Sequence, residues 1–205
     1  MKLRAHKIGE LMTNDRSGNN VGQTAINFVK QMAKQDFYGY ESPVINRYLD
    51  KGINQEFESI QLLNAVRFED FHKNAVRKTN DFITGECDIV TVSSIIDIKT
   101  SWSLETFPEL PEEINSKTYE WQGRAYMWLY DKPEFELVYC MVSTWDEFLT
   151  PYDDRLIHKV DHIDPAKRIT SIKFERDLEL EEQMIERVKW ANEYYKQRIN
   201  KLNNK

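Results

Sequence analysis

No apolar run in this chain approaches the length of a membrane span. The first residues, "MKLRAHKIGELM", lack the apolar stretch of a secretory signal. Cysteine is scarce: Cys87 and Cys140 are the only two, and both sit in apolar, strand-like runs. Two buried free thiols are expected rather than a disulfide, which suits a reducing compartment. These absences lead us to expect a cytoplasmic protein with no membrane part. An excess of basic residues is missing too, since 28 Lys and Arg stand against 34 Asp and Glu, a net charge of −6. That balance argues weakly against nucleic-acid binding. It leaves room for a local basic groove that tracks phosphates. No internal repeat and no low-complexity block is found.

What is present is 205 residues, 40% hydrophobic and 12% aromatic. This is enough for one domain with a firm core and no staples. "RSGNNVG" reads as a loop, followed by a helix in "QTAINFVKQMAKQ" with Ala25, Phe28, Val29 and Met32 on one face. Ser42-Pro43 is the expected start of one or two helices that run to about Val76. Strands are expected over Asp81–Val92, Ser94–Thr100, Phe135–Thr144 and Ile169–Phe174, with helices over Ile114–Asp131 and Leu178–Leu202. "PELPEE" reads as a loop. The order predicts an α/β fold of the α+β kind, a central mixed sheet flanked by helices, rather than a doubly wound sheet.

The stretch "FITGECDIVTVSSIIDIKTS" carries Asp88, Asp97 and Lys99 where a plain hairpin would carry Val or Ile. With the turn at Thr91–Ser94, Val90 pairs with Ile95 and Asp88 falls opposite Asp97. Cβ atoms at such positions are about 5 Å apart, and like charges there destabilise the pair. Lys99 shares a face with Asp97. Glu86, opposite Lys99 in this register, reads as its salt-bridge neighbour. A divalent cation relieves the repulsion, and an all-oxygen donor set that includes the Ile98 carbonyl suits Mg²⁺ or Mn²⁺. Lys99 could then position or deprotonate a water, or stabilise charge on a phosphate. A surface hairpin with salt-bridged acids explains this stretch alone about as well.

Upstream, "KGINQEFESIQLL" reads as a helix with Ile53, Phe57, Ile60 and Leu63 in one apolar stripe. Glu56 falls inside the stripe and Glu58 outside it. A carboxylate on a packed face is costly unless paired or metal-bound. Downstream, Gln122 and Tyr126 lie at i and i+4, placed to bond a phosphate or hold the lysine; a polar pair at a helix–sheet seam is the plainer reading.

Together these residues resemble the PD-(D/E)XK nuclease superfamily, in its lambda-exonuclease, YqaJ and RecB-nuclease branch. Gly52-x-x-x-Glu56 is similar to the helical motif that supplies the first acid. "GECD", ending at Asp88, is similar to Gly-x-x-Asp. Asp97-Ile98-Lys99 matches (D/E)-x-K, and "QGRAY" matches Q-x-x-x-Y. The resemblance covers about Gly52 to Thr144. It implies a restriction-endonuclease-like core in a single domain over 1–205, with an N-terminal helical part (1–50), a catalytic core (52–144) and a C-terminal strand and helix (169–203). It implies that Glu56, Asp88, Asp97 and the Ile98 carbonyl bind one or two Mg²⁺ (or Mn²⁺) ions. Lys99 would orient or activate the attacking water. Gln122 and Tyr126 would support the lysine and touch the DNA backbone.

Arg4, in "RAHKIG", is similar to the phosphate-contacting Arg of lambda and YqaJ members. His72 is expected to be structural or exposed. The implied activity is metal-dependent exonucleolytic hydrolysis of linear duplex DNA, 5′→3′, releasing 5′-phosphate products in recombination or end resection. A phage or mobile-element source, a homo-oligomer and a single-strand annealing partner also fit the resemblance. The alternatives are a structure-specific or restriction-like endonuclease and an inactive member that binds DNA or protein.

Overall fold

The structure, a computed structural model, describes residues 2–18, 20–41 and 46–205. In chain order it runs β1 (Leu3–Arg4), α1 (Ile8–Leu11), α2 (Gln23–Tyr38), α3 (Arg47–Asn54), α4 (Glu56–Arg67), β2 (Lys78–Thr79), β3 (Ile83–Gly85), β4 (Ile89–Val90), β5 (Ser94–Thr100), α5 (Lys117–Tyr130), β6 (Glu134–Cys140), α6 (Arg155–His158), β7 (Ile169–Glu175) and α7 (Leu178–Asn203). The larger sheet has the order β4-β5-β6-β7, and a smaller one has the order β1-β3-β2.

The larger sheet is mixed. β4 and β5 form an antiparallel hairpin with Val90 opposite Ile95. Thr91 closes its turn by accepting the Ser94 N–H on Oγ1. β5 and β6 are parallel, with Asp97 beside Leu137. Parallel neighbours need a long crossover, and α5 provides it. β7 returns antiparallel to β6.

Alternation along β5 and β6 feeds two cores, one on each face of the sheet. Ile95, Phe135 and Leu137 pack with residues of α1, α2, α5 and α7, including Ile8, Val29, Ala125 and Val188. Ile96, Ile98, Val138 and Cys140 pack with Ile60 and Leu63 of α4. Burial on both faces is why these strands read as nearly continuous apolar runs. Glu136, on the α4 face, is 2% exposed and takes a bidentate contact from Arg67 at 2.8 and 2.6 Å. Arg67 outweighs burial and holds the Glu136 carboxyl below its ordinary value. Both cysteines are buried free thiols, which burial pushes up to about 12.

Three expectations are corrected. The single strand over Asp81–Val92 is broken, because Asn74 takes over the backbone between β3 and β4. It donates from its amide to Asp88 O (2.6 Å) and from its side chain to Cys87 O (3.0 Å). The helices expected to reach Val76 end at Arg67, where Phe68 is left-handed with φ 56°. Ser42-Pro43 lies outside the described residues, and α3 is capped by Asn46, whose side chain accepts the Tyr48 N–H at 2.9 Å.

The third correction is the stripe on the helix around Glu56. Ile53 and Phe57 are exposed, at 64% and 67%. The buried face instead carries Lys51, Gln55 and Ser59 ahead of Leu62 and Leu63. Polar side chains at i, i+4 and i+8 point inward because the strand ends beneath them offer carbonyl and hydroxyl partners.

Candidate active site

β5 supplies Asp97 and Lys99, and the loop before β4 supplies Asp88. Asp88 does not continue the ladder. Its Oδ2 accepts the Ile98 N–H at 2.6 Å, so the carboxylate reaches across to β5. Asp97 is 2% exposed. Its Oδ1 accepts from Gln122 Nε2 at 3.1 Å, and its Oδ2 stands 2.6 Å from Lys99 Nζ. Asp97 Oδ2 is buried, with the Lys99 ammonium as its partner. Glu56, at the first turn of α4, is ion-paired to Lys73 through Oε2, while its Oε1 is buried without a partner. One cleft gathers Glu56, Asp88, Asp97, Ile98, Lys99, Gln122 and Tyr126, with Gly52 at its edge.

The electrostatics follow from this crowding. Burial, then the charges of Asp97 and Glu56, pushes the Asp88 carboxyl well above the carboxylate range. Burial opposes the Lys99 ammonium, but Asp97 and Asp88 outweigh it and hold its pKa above that of an ordinary lysine. Lys99 Nζ also sits 4.7 Å from the centre of the Tyr119 ring, a cation–π contact. Burial followed by Asp97 raises the Tyr126 phenol, which stays a donor.

Two expected contacts are corrected. Glu86 pairs with Arg77 at 3.2 Å rather than with Lys99. Gln122 orients Asp97 and bonds Tyr126 Oη at 3.2 Å, while Tyr126 donates to Glu86 O at 3.0 Å, so neither holds the lysine. His72 is exposed, near Asp70 at 3.5 Å. Arg4 lies outside the carboxylate cleft, in an adjoining groove with His6, Arg77 and Tyr126; His6 and Tyr126 line both. Burial, then Lys7, Arg4 and Lys99, lowers the His6 pKa, so its ring is neutral near pH 7.

The donor set fits a hard divalent cation. Oε1 of Glu56 is buried without a hydrogen-bond donor, the buried Oδ2 of Asp97 meets the Lys99 ammonium, and the Ile98 N–H holds the Asp88 carboxylate across to β5. Among the described residues no three acidic, His or Cys side chains are already drawn together as a complete metal cage. Mg²⁺ does not need one, because it is bound by one or two carboxylates with waters and substrate phosphates completing its shell.

Sequence reasoning missed Lys51, Gln55 and Ser59, which fasten the helix carrying Glu56. Gln55 donates to Ser143 O at 2.8 Å and accepts from Trp145 N at 3.2 Å; Ser59 Oγ is 2.8 Å from Thr100 Oγ1. Their four-residue spacing was visible, but polar residues at that spacing read as a solvated face. Trp102 was missed as well. It lines the cleft edge-on to Tyr48 at 4.8 Å, under the Arg47 guanidinium at 4.7 Å.

A mixed sheet between helices, with an acid and a lysine on β5 and a second acid reaching them from the loop before β4, defines a nuclease-like α/β fold. The chain is similar to the structure of a phage-related exonuclease from Haemophilus somnus 129PT, with a TM-score of 0.91 and 31% identity over 98% of this chain and 96% of that one. An alkaline exonuclease (LHK-Exo) from Laribacter hongkongensis shares the fold at a TM-score of 0.68 and 14% identity, over 99% of this chain and 92% of that one. Its complex with dAMP gives a TM-score of 0.67 and 15% identity over the same shares. No family model and no curated protein matches the chain. The chain belongs to the PD-(D/E)XK nuclease superfamily, in its lambda-exonuclease and YqaJ-like branch.

Proposed function

We infer that this protein is a divalent-metal-dependent deoxyribonuclease that degrades linear duplex DNA from its ends, 5′→3′, and releases 5′-phosphate products. The observation that carries this reading is the convergence in one cleft of Asp88, Asp97 and Lys99 with Glu56, whose buried Oε1 has no donor. The phage-related and alkaline exonucleases that share the fold favour end-directed cleavage. Glu56, Asp88, Asp97 and the Ile98 carbonyl would hold one or two Mg²⁺ or Mn²⁺ ions. When bound, such an ion supplies Lewis-acid polarisation of the phosphoryl oxygens and a water of lowered pKa.

The chain's own groups do the rest. Gln122 fixes the rotamer of Asp97. Lys99, kept protonated by its two acids, orients the attacking water and donates to the phosphoryl oxygen as charge develops there. It therefore acts as a cation rather than as a base. Arg4 and Arg77, in the adjoining groove, offer charge to a neighbouring phosphate.

The test is a time course on linear duplex labelled at one end, with and without a 5′-phosphate, in Mg²⁺ or in EDTA. We expect Mg²⁺-dependent release of 5′-mononucleotides from the 5′ end and no cutting of covalently closed circles. Cleavage of closed circles would overturn the exonuclease reading, and cleavage in EDTA would overturn the metal reading.

A further inference from the structure

Lys51 is among the largest fully buried side chains in the described structure, with 0% exposure. No carboxylate pairs with it among the described residues. Its Nζ instead lies 2.7 Å from Ser101 O, 3.1 Å from Trp102 O, 3.0 Å from Val142 O and 2.8 Å from Thr144 Oγ1. Thr144 Oγ1 in turn donates to Trp102 O at 3.0 Å and meets His158 Nδ1 at 3.1 Å. Burial, then Lys159, lowers the Lys51 pKa to about 7. Four acceptors oppose that shift, because an ammonium offers three hydrogens to them and a neutral amine only two.

A charge so placed is costly to bury, and what it joins is the cleft. Lys51 precedes Gly52, at the cleft edge, and lies on the same inward face of the α3–α4 segment as Gln55, the residue before Glu56. The carbonyls it binds follow directly on Lys99 and Thr100 at the end of β5, and on Cys140 and Met141 at the end of β6. Gln55 sits at the break between α3 and α4, with φ −108° and ψ 15°, and fastens that break to Ser143 and Trp145. The direction in which Glu56 leaves the helix is thus set by Lys51 and Gln55 against the strand ends that carry Asp97 and Lys99.

We propose that Lys51, seconded by Gln55, is a positioning residue of the metal centre: its buried ammonium fixes Glu56 against Asp97, and the affinity for the divalent ion depends on it. This rests on the metal-dependent reading above. Partners that orient metal ligands typically account for about 10–100-fold in affinity or activity. The experiment is Mn²⁺ binding to the whole protein by calorimetry and electron paramagnetic resonance, with kcat and KM on linear duplex, for the parent, Lys51→Met, Gln55→Met and Asp88→Asn.

We expect Mn²⁺ affinity to fall about 10–100-fold in Lys51→Met and less in Gln55→Met. KM for DNA should stay unchanged, and kcat should recover as Mn²⁺ is raised. A lysine that served stability alone would lower the melting temperature and leave Mn²⁺ affinity in the folded protein untouched, which would overturn the proposal. If Lys51→Met does not fold, Gln55→Met decides: parental Mn²⁺ affinity there overturns it. Absence of Mn²⁺ binding by the parent overturns the metal reading and this inference with it. Binding that is lost in Asp88→Asn but unchanged in both seam variants overturns the inference alone.

Discussion

Asp88 is the residue on which the cleft's function and the fold's stability conflict. It is enclosed beside two other acids, and its hydrogen-bond donor is the Ile98 N–H at 2.6 Å. Without a cation the site is strained by desolvation and by like charge. Asn keeps the size and can still accept the Ile98 N–H, while it removes the charge. Asp88→Asn should therefore raise the melting temperature of the metal-free protein, by about 2–4 °C for each kcal/mol of repulsion relieved in a chain of this size. The same substitution should cut Mg²⁺-dependent cleavage by at least about 10²-fold. Calorimetry and the end-labelled assay read the two effects; a lower melting temperature would show that the acid is already stabilised without metal. Asp97 and Lys99 were legible in the sequence from the strand's period of two, whereas Asp88, read as a ladder partner of Asp97, leaves the ladder and reaches β5 through its side chain. Glu56 was found for a partly mistaken reason. Ile53 and Phe57, which were to bury it, face solvent, and what carries the helix inward is the polar set Lys51, Gln55 and Ser59.

Elements with a strong local pattern were readable, and those set by long-range polar contacts were not. β5, β7 and α7 begin and end within a residue or so of expectation, since continuous apolar runs and an N-cap such as Asp177, which accepts from Glu179 and Leu180, are written locally. The break after β3 depends on Asn74, and the break at Gln55 depends on Ser143 and Trp145; neither partner is near in sequence. Two contacts between elements give predictions. A Cβ on Gly123 of α5 would stand 2.0–2.4 Å from the ring of Phe135, which is fully buried on β6. Gly→Ala in a helix is ordinarily stabilising by up to about 1 kcal/mol, but Gly123→Ala should destabilise by about 1–3 kcal/mol through overpacking, read by denaturant unfolding. Arg67 pins α4 to β6 through Glu136. Arg67→Met should cost about 3 kcal/mol, because it strands a buried carboxylate. The Glu136 pKa is lowered in the folded state, so the pair's contribution is present above the unfolded value of 4.5 and is lost as pH falls through the folded one. The stability difference between parent and Arg67→Met should accordingly shrink on acidification below about pH 4.5; a constant gap down to pH 3 would exclude the ion pair as its cause.

At the scale of the whole molecule, the chain carries a net charge of −6, and among the described residues no helix is long and apolar enough to cross a membrane. Its acids are not spread evenly in consequence: three converge in one cleft, partly balanced by Lys73 and Lys99. A ligand that binds the folded state alone stabilises all of it by mass action, by about 2.7 kcal/mol when present at a hundred times its dissociation constant. Because both core faces meet at β5, the strand that bears Asp97 and Lys99, that free energy should appear in one global unfolding transition rather than as local tightening. We expect saturating Mn²⁺ to raise the melting temperature of the parent by on the order of 5–10 °C and EDTA to reverse the rise. Asp88→Asn should start from a higher metal-free value and gain little. Opposite baselines and opposite responses in the two proteins distinguish a metal bound among these carboxylates from a nonspecific salt effect, which would move both curves together.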